Sequence, residues 1–110
     1  MEEWLHGDWC QLNCTAIVTQ NDLFAAGAIA ALQKAGISVP EEVSVTGFDG
    51  TEMGDYFAPR LTSLEVPFHA IAVRGVELLA HHIADAARPP ETIVLPIRLR
   101  LRESTAPPPH

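Results

Sequence analysis

Two short polar stretches carry the side chains most able to do chemistry in this sequence: Asn21-Asp22 and Asp49-Gly50. A carboxylate held by a glycine turn can accept paired hydrogen bonds from neighbouring hydroxyls, and an amide such as Asn21 can both donate and accept. Together they suit a small, hydroxyl-rich molecule. The same residues also have plainer uses. Asn and Asp cap the free N–H groups of a helix's first turn, and Asp before Gly is a common turn pair. Catalysis finds less support. Phosphoryl transfer to an aspartate wants two aspartates bracketing one residue, the first as nucleophile. In Gly47-Phe48-Asp49-Gly50-Thr51 the position two before Asp49 is a glycine. No Gly-x-Ser-x-Gly elbow, Walker loop or dinucleotide fingerprint is present. The expectation is a protein that binds without catalysing and needs no cofactor.

Metal and nucleic acid fare no better as direct partners. Cys10 and Cys14 could share one helix face, but no second ligand pair follows at metal-site spacing, and His81-His82 would diverge on a helix. The cysteines read as ordinary reduced thiols. Net charge is -7 with seven Lys and Arg in all, too few to release counterions from a phosphate backbone. Arg98, Arg100 and Arg102 alternate along one segment and read as a solvated strand face. No apolar run approaches the roughly 20 residues that cross a bilayer. Met1-Glu2-Glu3 is unlike the basic start of a signal peptide, so the expected compartment is the cytoplasm, with no membrane partner. A hydrophobic fraction of 47% against 19% charged belongs to a globular chain, and 110 residues give room for one domain.

The elements that must position the polar pairs alternate in type. Thr15 to Thr19 is a β-branched run of the kind found in buried parallel strands. Leu23 to Ala35 is helical, with Leu23, Ala26, Gly27 and Ala30 on adjacent rows and Gly36 placed to close it. Val43 to Phe48 is a second strand, with Asp49-Gly50-Thr51 as the turn at its carboxyl end. A short helical turn is expected over Glu52 to Phe57, and a third strand over Leu61 to Val66. Phe68 to Ala87 repeats its apolar residues at three and four, a long amphipathic helix. Ile93, Leu95, Ile97, Leu99 and Leu101 alternate with mostly polar residues, which predicts a strand over 93–102, with Pro96 demanding an edge position or a bend. The fold class is therefore α/β, a mostly parallel sheet with flanking helices. Such sheets meet their ligands at the carboxyl ends of the strands, where both polar pairs fall.

Several blocks in order resemble one family. Thr15-Ala16-Ile17-Val18-Thr19-Gln20-Asn21-Asp22 followed by a helix is similar to a signature of the lactose/galactose repressor (LacI/GalR) regulators. So is Ala35-Gly36-Ile37-Ser38-Val39-Pro40-Glu41-Glu42-Val43 running on to Gly47-Phe48-Asp49. Pro59-Arg60-Leu61-Thr62-Ser63-Leu64 and the closing Arg102-Glu103-Ser104-Thr105-Ala106-Pro107 complete the set. The resemblance covers Thr15 to Pro107.

It implies a periplasmic-binding-protein-like (type I) fold, of which this chain would supply part of each of two lobes. Residues 1–14 would be an atypical N-terminal segment, 15–105 a partial effector-binding and dimerisation domain, and 106–110 a loose Pro-rich tail. Asn21 and Asp49 match the family's hydroxyl-binding amide and carboxylate. Phe68 matches an aromatic lining the cleft, and is equally placed to be the first core residue of its helix. Trp9, in Gly7-Asp8-Trp9, matches a tryptophan that stacks on sugar, although only Cys10 to Cys14 separate it from the first strand where the family has a helix. Small-core packing is the plainer use of Trp9. Leu23 and Ala26, on the first helix, and Tyr56 and Phe57, in the loop, match the family's dimer interface; Tyr56 and Phe57 can also pack within the chain.

The implied partners are a sugar-like or nucleoside-like effector, a second copy of the chain, and DNA only through a helix-turn-helix domain outside this chain. A sheet lacking neighbours would expose edges and apolar faces, so self-association or marginal stability is expected. Two other functions fit the same fold. One is a piece of a sugar importer's solute-binding protein; the other is a dimerisation module without ligand binding.

Overall fold

In the computed structural model, which describes residues 13–109, β1 (Ala16–Val18) lies parallel to β2 (Ser44–Asp49), and β2 lies parallel to β3 (Thr62–Glu65). β4 (Arg98–Arg100) runs antiparallel to β3 and ends the order β1-β2-β3-β4. The mostly parallel sheet agrees with the expected class; the antiparallel edge strand is the exception, a common arrangement in mixed α/β sheets.

Between β1 and β2 runs α1 (Asp22–Lys34). Asn21 starts it, its Oδ1 accepting the Phe24 N–H at 2.9 Å. Gly36, at φ 77°, ends it. There the Ile37 N–H reaches the Leu32 carbonyl at 2.9 Å and the Gly36 N–H reaches that of Gln33 at 3.0 Å, the paired bonds of a glycine C-cap. α1 turns Ala25, Ala28, Ile29 and Leu32 onto Val39, Val43, Val45 and Leu61. The alanines let the helix approach the sheet closely, and each fully buried Leu or Val contributes about 1.5–3 kcal/mol. The rows holding Leu23, Gly27 and Ala30 face away from this core and are exposed.

The chain divides into two compact units. One runs to Glu65 and resumes at Arg98; the other is Val66–Ile97. The second unit is built on α2 (Phe68–Ala84), none of whose residues is buried. Phe68, Val76, Leu79 and Ile83 along it are all more than half exposed. Within that unit an open groove of about 460 Å³ runs between Ile71, Gly75 and Leu78 of α2 and Ile93, Leu95 and Ile97 of the returning segment.

Three expectations need correction. The alternation over 93–102 yields a strand only at Arg98–Arg100. Residues 93–97 have no partner strand among the described residues, and Pro96 has no N–H to give one. After Arg100 the chain bends onto side chains, with the Arg102 N–H bonding Thr62 Oγ1 at 3.0 Å. The short turn ends sooner than expected, as a 3₁₀ turn over Glu52–Asp55. Finally, the three arginines are not one solvated face. Arg98 and Arg100 both hold the Glu65 carboxylate at 2.8 Å. Arg102 is 5% exposed and bonds Asp55 Oδ1 at 2.8 Å and the Leu61 carbonyl at 2.6 Å. Its guanidinium packs against Gly54, where an added Cβ would stand 3.2 Å from Nη1.

A candidate effector site at the carboxyl ends of the strands

Three polar side chains, those of Asp22, Thr51 and Ser63, meet beside the carboxyl end of β2. At the centre is Asp22, the first residue of α1, whose side chain is 2% exposed. It does not cap the helix. Its Oδ2 accepts the Thr51 N–H at 2.6 Å and the Thr51 hydroxyl at 2.8 Å. Its Oδ1 accepts the Ser63 hydroxyl at 2.5 Å. Ser63 in turn accepts the Gly50 N–H at 3.1 Å. Three donors on one buried carboxylate offset the desolvation that would otherwise make it costly.

Glycines make room for this arrangement. A Cβ at Gly47 would overlap Asp22 Oδ1 and approach Leu61 Cδ2 to 2.8 Å. Gly50, at φ 69°, lies so close to Glu65 that a Cβ would come within 2.6 Å of its Cα. Asp49 itself has φ 102°, a region L residues rarely enter. It is partly buried, and among the described residues it forms no ion pair. Directly across the ladder from it lies Glu65. Arg98 and Arg100 hold the Glu65 carboxyl below the usual carboxylate range, first through the Arg98 hydrogen bond and then through the charge of both guanidiniums. Two carboxylates thus sit in register, one paired with arginines and the other without an ion pair among the described residues.

The structure distributes the expected site residues unevenly. Asn21 and Asp49 both lie at strand ends in the first unit, partly buried. Asn21 spends Oδ1 on the helix cap, so its Nδ2 group is what remains for a hydroxyl, as a donor. Phe68 opens α2 in the second unit with its ring more than half exposed. Trp9 lies outside the described residues, as does Cys10. Of the four expected interface residues, Leu23 is 70% exposed and Tyr56 85%, whereas Ala26 is partly buried and Phe57 packs against the core. Leu23 also borders an open groove of about 740 Å³, lined by Ile17, Val18, Phe24, Gly27 and Ala31 among others.

From local spacing Asp22 is a helix cap, and nothing local links it to Thr51 or Ser63. A signal was available. Thr62-Ser63 stand inside a strand buried on both faces, and buried hydroxyls need partners.

A mostly parallel sheet thus gathers a positive-φ aspartate, an amide and a buried carboxylate at its carboxyl edge, the edge at which open α/β sheets take up ligands. The sequence matches the periplasmic binding protein-like domain over residues 1–105. It is 39% identical over 71 residues to the transcriptional repressor PurR of Aliivibrio fischeri, an alignment covering 64% of this chain and 21% of the repressor. Among solved structures it superposes on a LacI family transcriptional regulator from Enterococcus faecium with bound ribose, with TM-score 0.82 and 31% identity over 96% of this chain and 38% of that one. The dimeric Lac repressor gives TM-score 0.83 at 27% identity, covering 97% of this chain and 38% of that one. The chain belongs to the periplasmic-binding-protein-like family and, within it, to the effector domains of LacI/GalR transcriptional regulators. These relatives are regulators of transcription and not enzymes. The chain spans well under half the length of each.

Proposed function

We infer that the protein senses a small, hydroxyl-rich effector, a sugar or nucleoside, and that effector binding governs the DNA binding of a regulator. The observation that carries this is Asp49, held at φ 102° on the carboxyl end of β2 with no ion pair among the described residues. Its carboxylate accepts two hydroxyls, while Asn21 Nδ2 donates to another. Phe68 offers an aromatic face to the same class of ligand. The ribose-bound Enterococcus faecium relative supports a sugar as effector. The chain's net charge of -7 supports leaving DNA contact to another domain. The cytoplasm is the compartment this role assigns; no helix among the described residues is long and apolar enough to cross a membrane.

Dimerisation through α1 and the Tyr56 loop belongs to the same reading, and the Lac repressor relative is dimeric. A dimerisation module without sensing is the second reading. It is favoured by the apolar groove bordered by Val18, Leu23 and Phe24, all of them exposed.

A thermal-shift screen over pentoses, hexoses, disaccharides and nucleosides tests the sensor. A ligand at a hundred times its dissociation constant adds about 2.7 kcal/mol, which a melt resolves. The expected result is a shift with at least one compound that disappears in Asp49→Ala. No shift across the panel, with dimers on a sizing column, leaves the association module.

A further inference from the structure

We propose that Asp22 is a positioning residue: its buried carboxylate imposes the left-handed conformation of Asp49 and so fixes where the effector carboxylate sits. This rests on the reading of Asp49 given above.

Asp49 at φ 102° is not a conformation that an aspartate chooses by itself. Something after it must impose the path. Gly50 follows, also at positive φ, and then Thr51. Both peptide N–H groups downstream of Asp49 lead to the same carboxylate. Thr51 N–H reaches Asp22 Oδ2 directly at 2.6 Å, and Gly50 N–H reaches Oδ1 through the Ser63 hydroxyl in steps of 3.1 and 2.5 Å. The Thr51 hydroxyl adds a third bond at 2.8 Å. Because Asp22 is the first residue of α1 and Ser63 lies in β3, the turn is referenced to two elements of the core at once.

Gly47 belongs to the same device. It stands two residues before Asp49 on β2, and only a residue without a Cβ leaves space for Asp22 there. An aspartate has the charge to hold three donors and the reach to do so from the helix start. Asparagine has the shape but presents an NH₂ where one set of donors must be met. The consequence joins two regions. Displacing Asp49 displaces Thr51, and Thr51 bears on the first turn of α1, the helix proposed to meet a second copy.

The test uses the full chain, isotope-labelled, as wild type and Asp22→Asn. The HN–Hα coupling of Asp49 reports its φ, and amide exchange at Thr51 reports the clamp. Wild type should show the small coupling of a left-handed residue. In Asp22→Asn the coupling should move toward the large value of an extended residue. Thr51 protection should fall about tenfold or more, the size of a lost hydrogen bond to a charged acceptor. Amides of Val45 and Leu32 should keep their shifts, which a general loss of structure would not allow. An unchanged Asp49 coupling in a folded Asp22→Asn protein overturns the proposal. If Asp22→Asn does not fold, Ser63→Ala decides: it cuts the Gly50 arm and spares the Thr51 arm, so a partial change is expected, and none overturns the proposal. Titration with ribose separates the two readings. A clamp that behaves as described in a chain that ignores every sugar and nucleoside refutes the sensor and leaves the positioning of Asp49 standing.

Discussion

Ser104 and Val45 bond each other twice: the Ser104 hydroxyl donates to the Val45 carbonyl at 2.6 Å, and the Ser104 carbonyl accepts the Val45 N–H at 2.8 Å. Ser104 also accepts the Thr62 N–H on its hydroxyl at 2.9 Å. A residue beyond the last strand thereby fills the space between β2 and β3 before their own ladder begins at Thr46 and Thr62. The end of the chain is part of the sheet that carries Asp49, and Ala106 continues the attachment by donating to Ser44 Oγ at 3.0 Å.

Replacing Ser104 with alanine leaves the Thr62 N–H buried without its acceptor. Stability should fall by about 1–3 kcal/mol, the cost of an unmet buried group. Urea unfolding checks this, with a lower midpoint and an unchanged slope expected.

Gly47→Ala should be worse than its single methyl suggests. The new Cβ overlaps the Asp22 carboxylate and crowds Leu61. Overpacking of this kind costs about 1–3 kcal/mol. Here it also breaks the clamp, so Thr51 amide exchange should rise along with the loss of stability. Gly27→Ala on the outer face of α1, with nothing within 4 Å of its Cβ, serves as the control and should be neutral or stabilising.

Stability should also weaken in acid for an identifiable reason. Glu65 and Glu103 both titrate below their usual 4.5 in the folded protein. For Glu65 the Arg98 hydrogen bond is the largest cause, and for Glu103 it is the hydrogen bond from Arg60. A carboxyl lowered on folding contributes stability that is fully present above its unfolded value and is lost as pH falls through the folded one. The loss should therefore set in below the usual 4.5 of these groups. Both pairs are largely open to water, so the effect is modest and shrinks with salt. Melting temperature against pH, compared between wild type and Glu65→Gln, should show a shallower acid limb in the variant.

Self-association should depend on the outer face of α1. Leu23 is 70% exposed and Tyr56 85%, and among the described residues β1 is an edge strand of the sheet, with Val18 84% exposed. Sedimentation should show concentration-dependent dimers. Leu23→Asp with Tyr56→Ser should return the chain to monomers without lowering its melting temperature by more than the dimer itself contributed.

Much of this was legible in the sequence, for physical reasons. The first two parallel strands stand out because β-branched runs end abruptly at polar residues, the third because Pro67 stops it, and α1 because Asn21 and Gly36 bracket an alanine-rich stretch. The two polar pairs fell at strand ends because alternation of strand and helix forces that placement. What failed were inferences about pairing over distance. Period-two alternation from Ile93 to Leu101 is necessary for a half-buried strand but does not supply a neighbour, and only Arg98–Arg100 finds one. Arg102 looked like its two neighbours in the pattern, yet a glycine and an aspartate in the Glu52–Asp55 turn draw it inside. Asp22 looked like a cap because local spacing says nothing of a threonine 29 residues away.

Whether Asn21 and Asp49 form the contact surface for a hydroxyl-rich effector is decided by titrating the isotope-labelled chain with ribose and with a nucleoside while following its amide signals. Saturable shifts are expected at the Asn21 side-chain NH₂ and at the backbone of Asp49, Gly50 and Thr51, all lost in Asp49→Ala. Shifts confined to the Leu23 and Phe24 face of α1, or absent at every concentration for both ligands, would contradict that assignment.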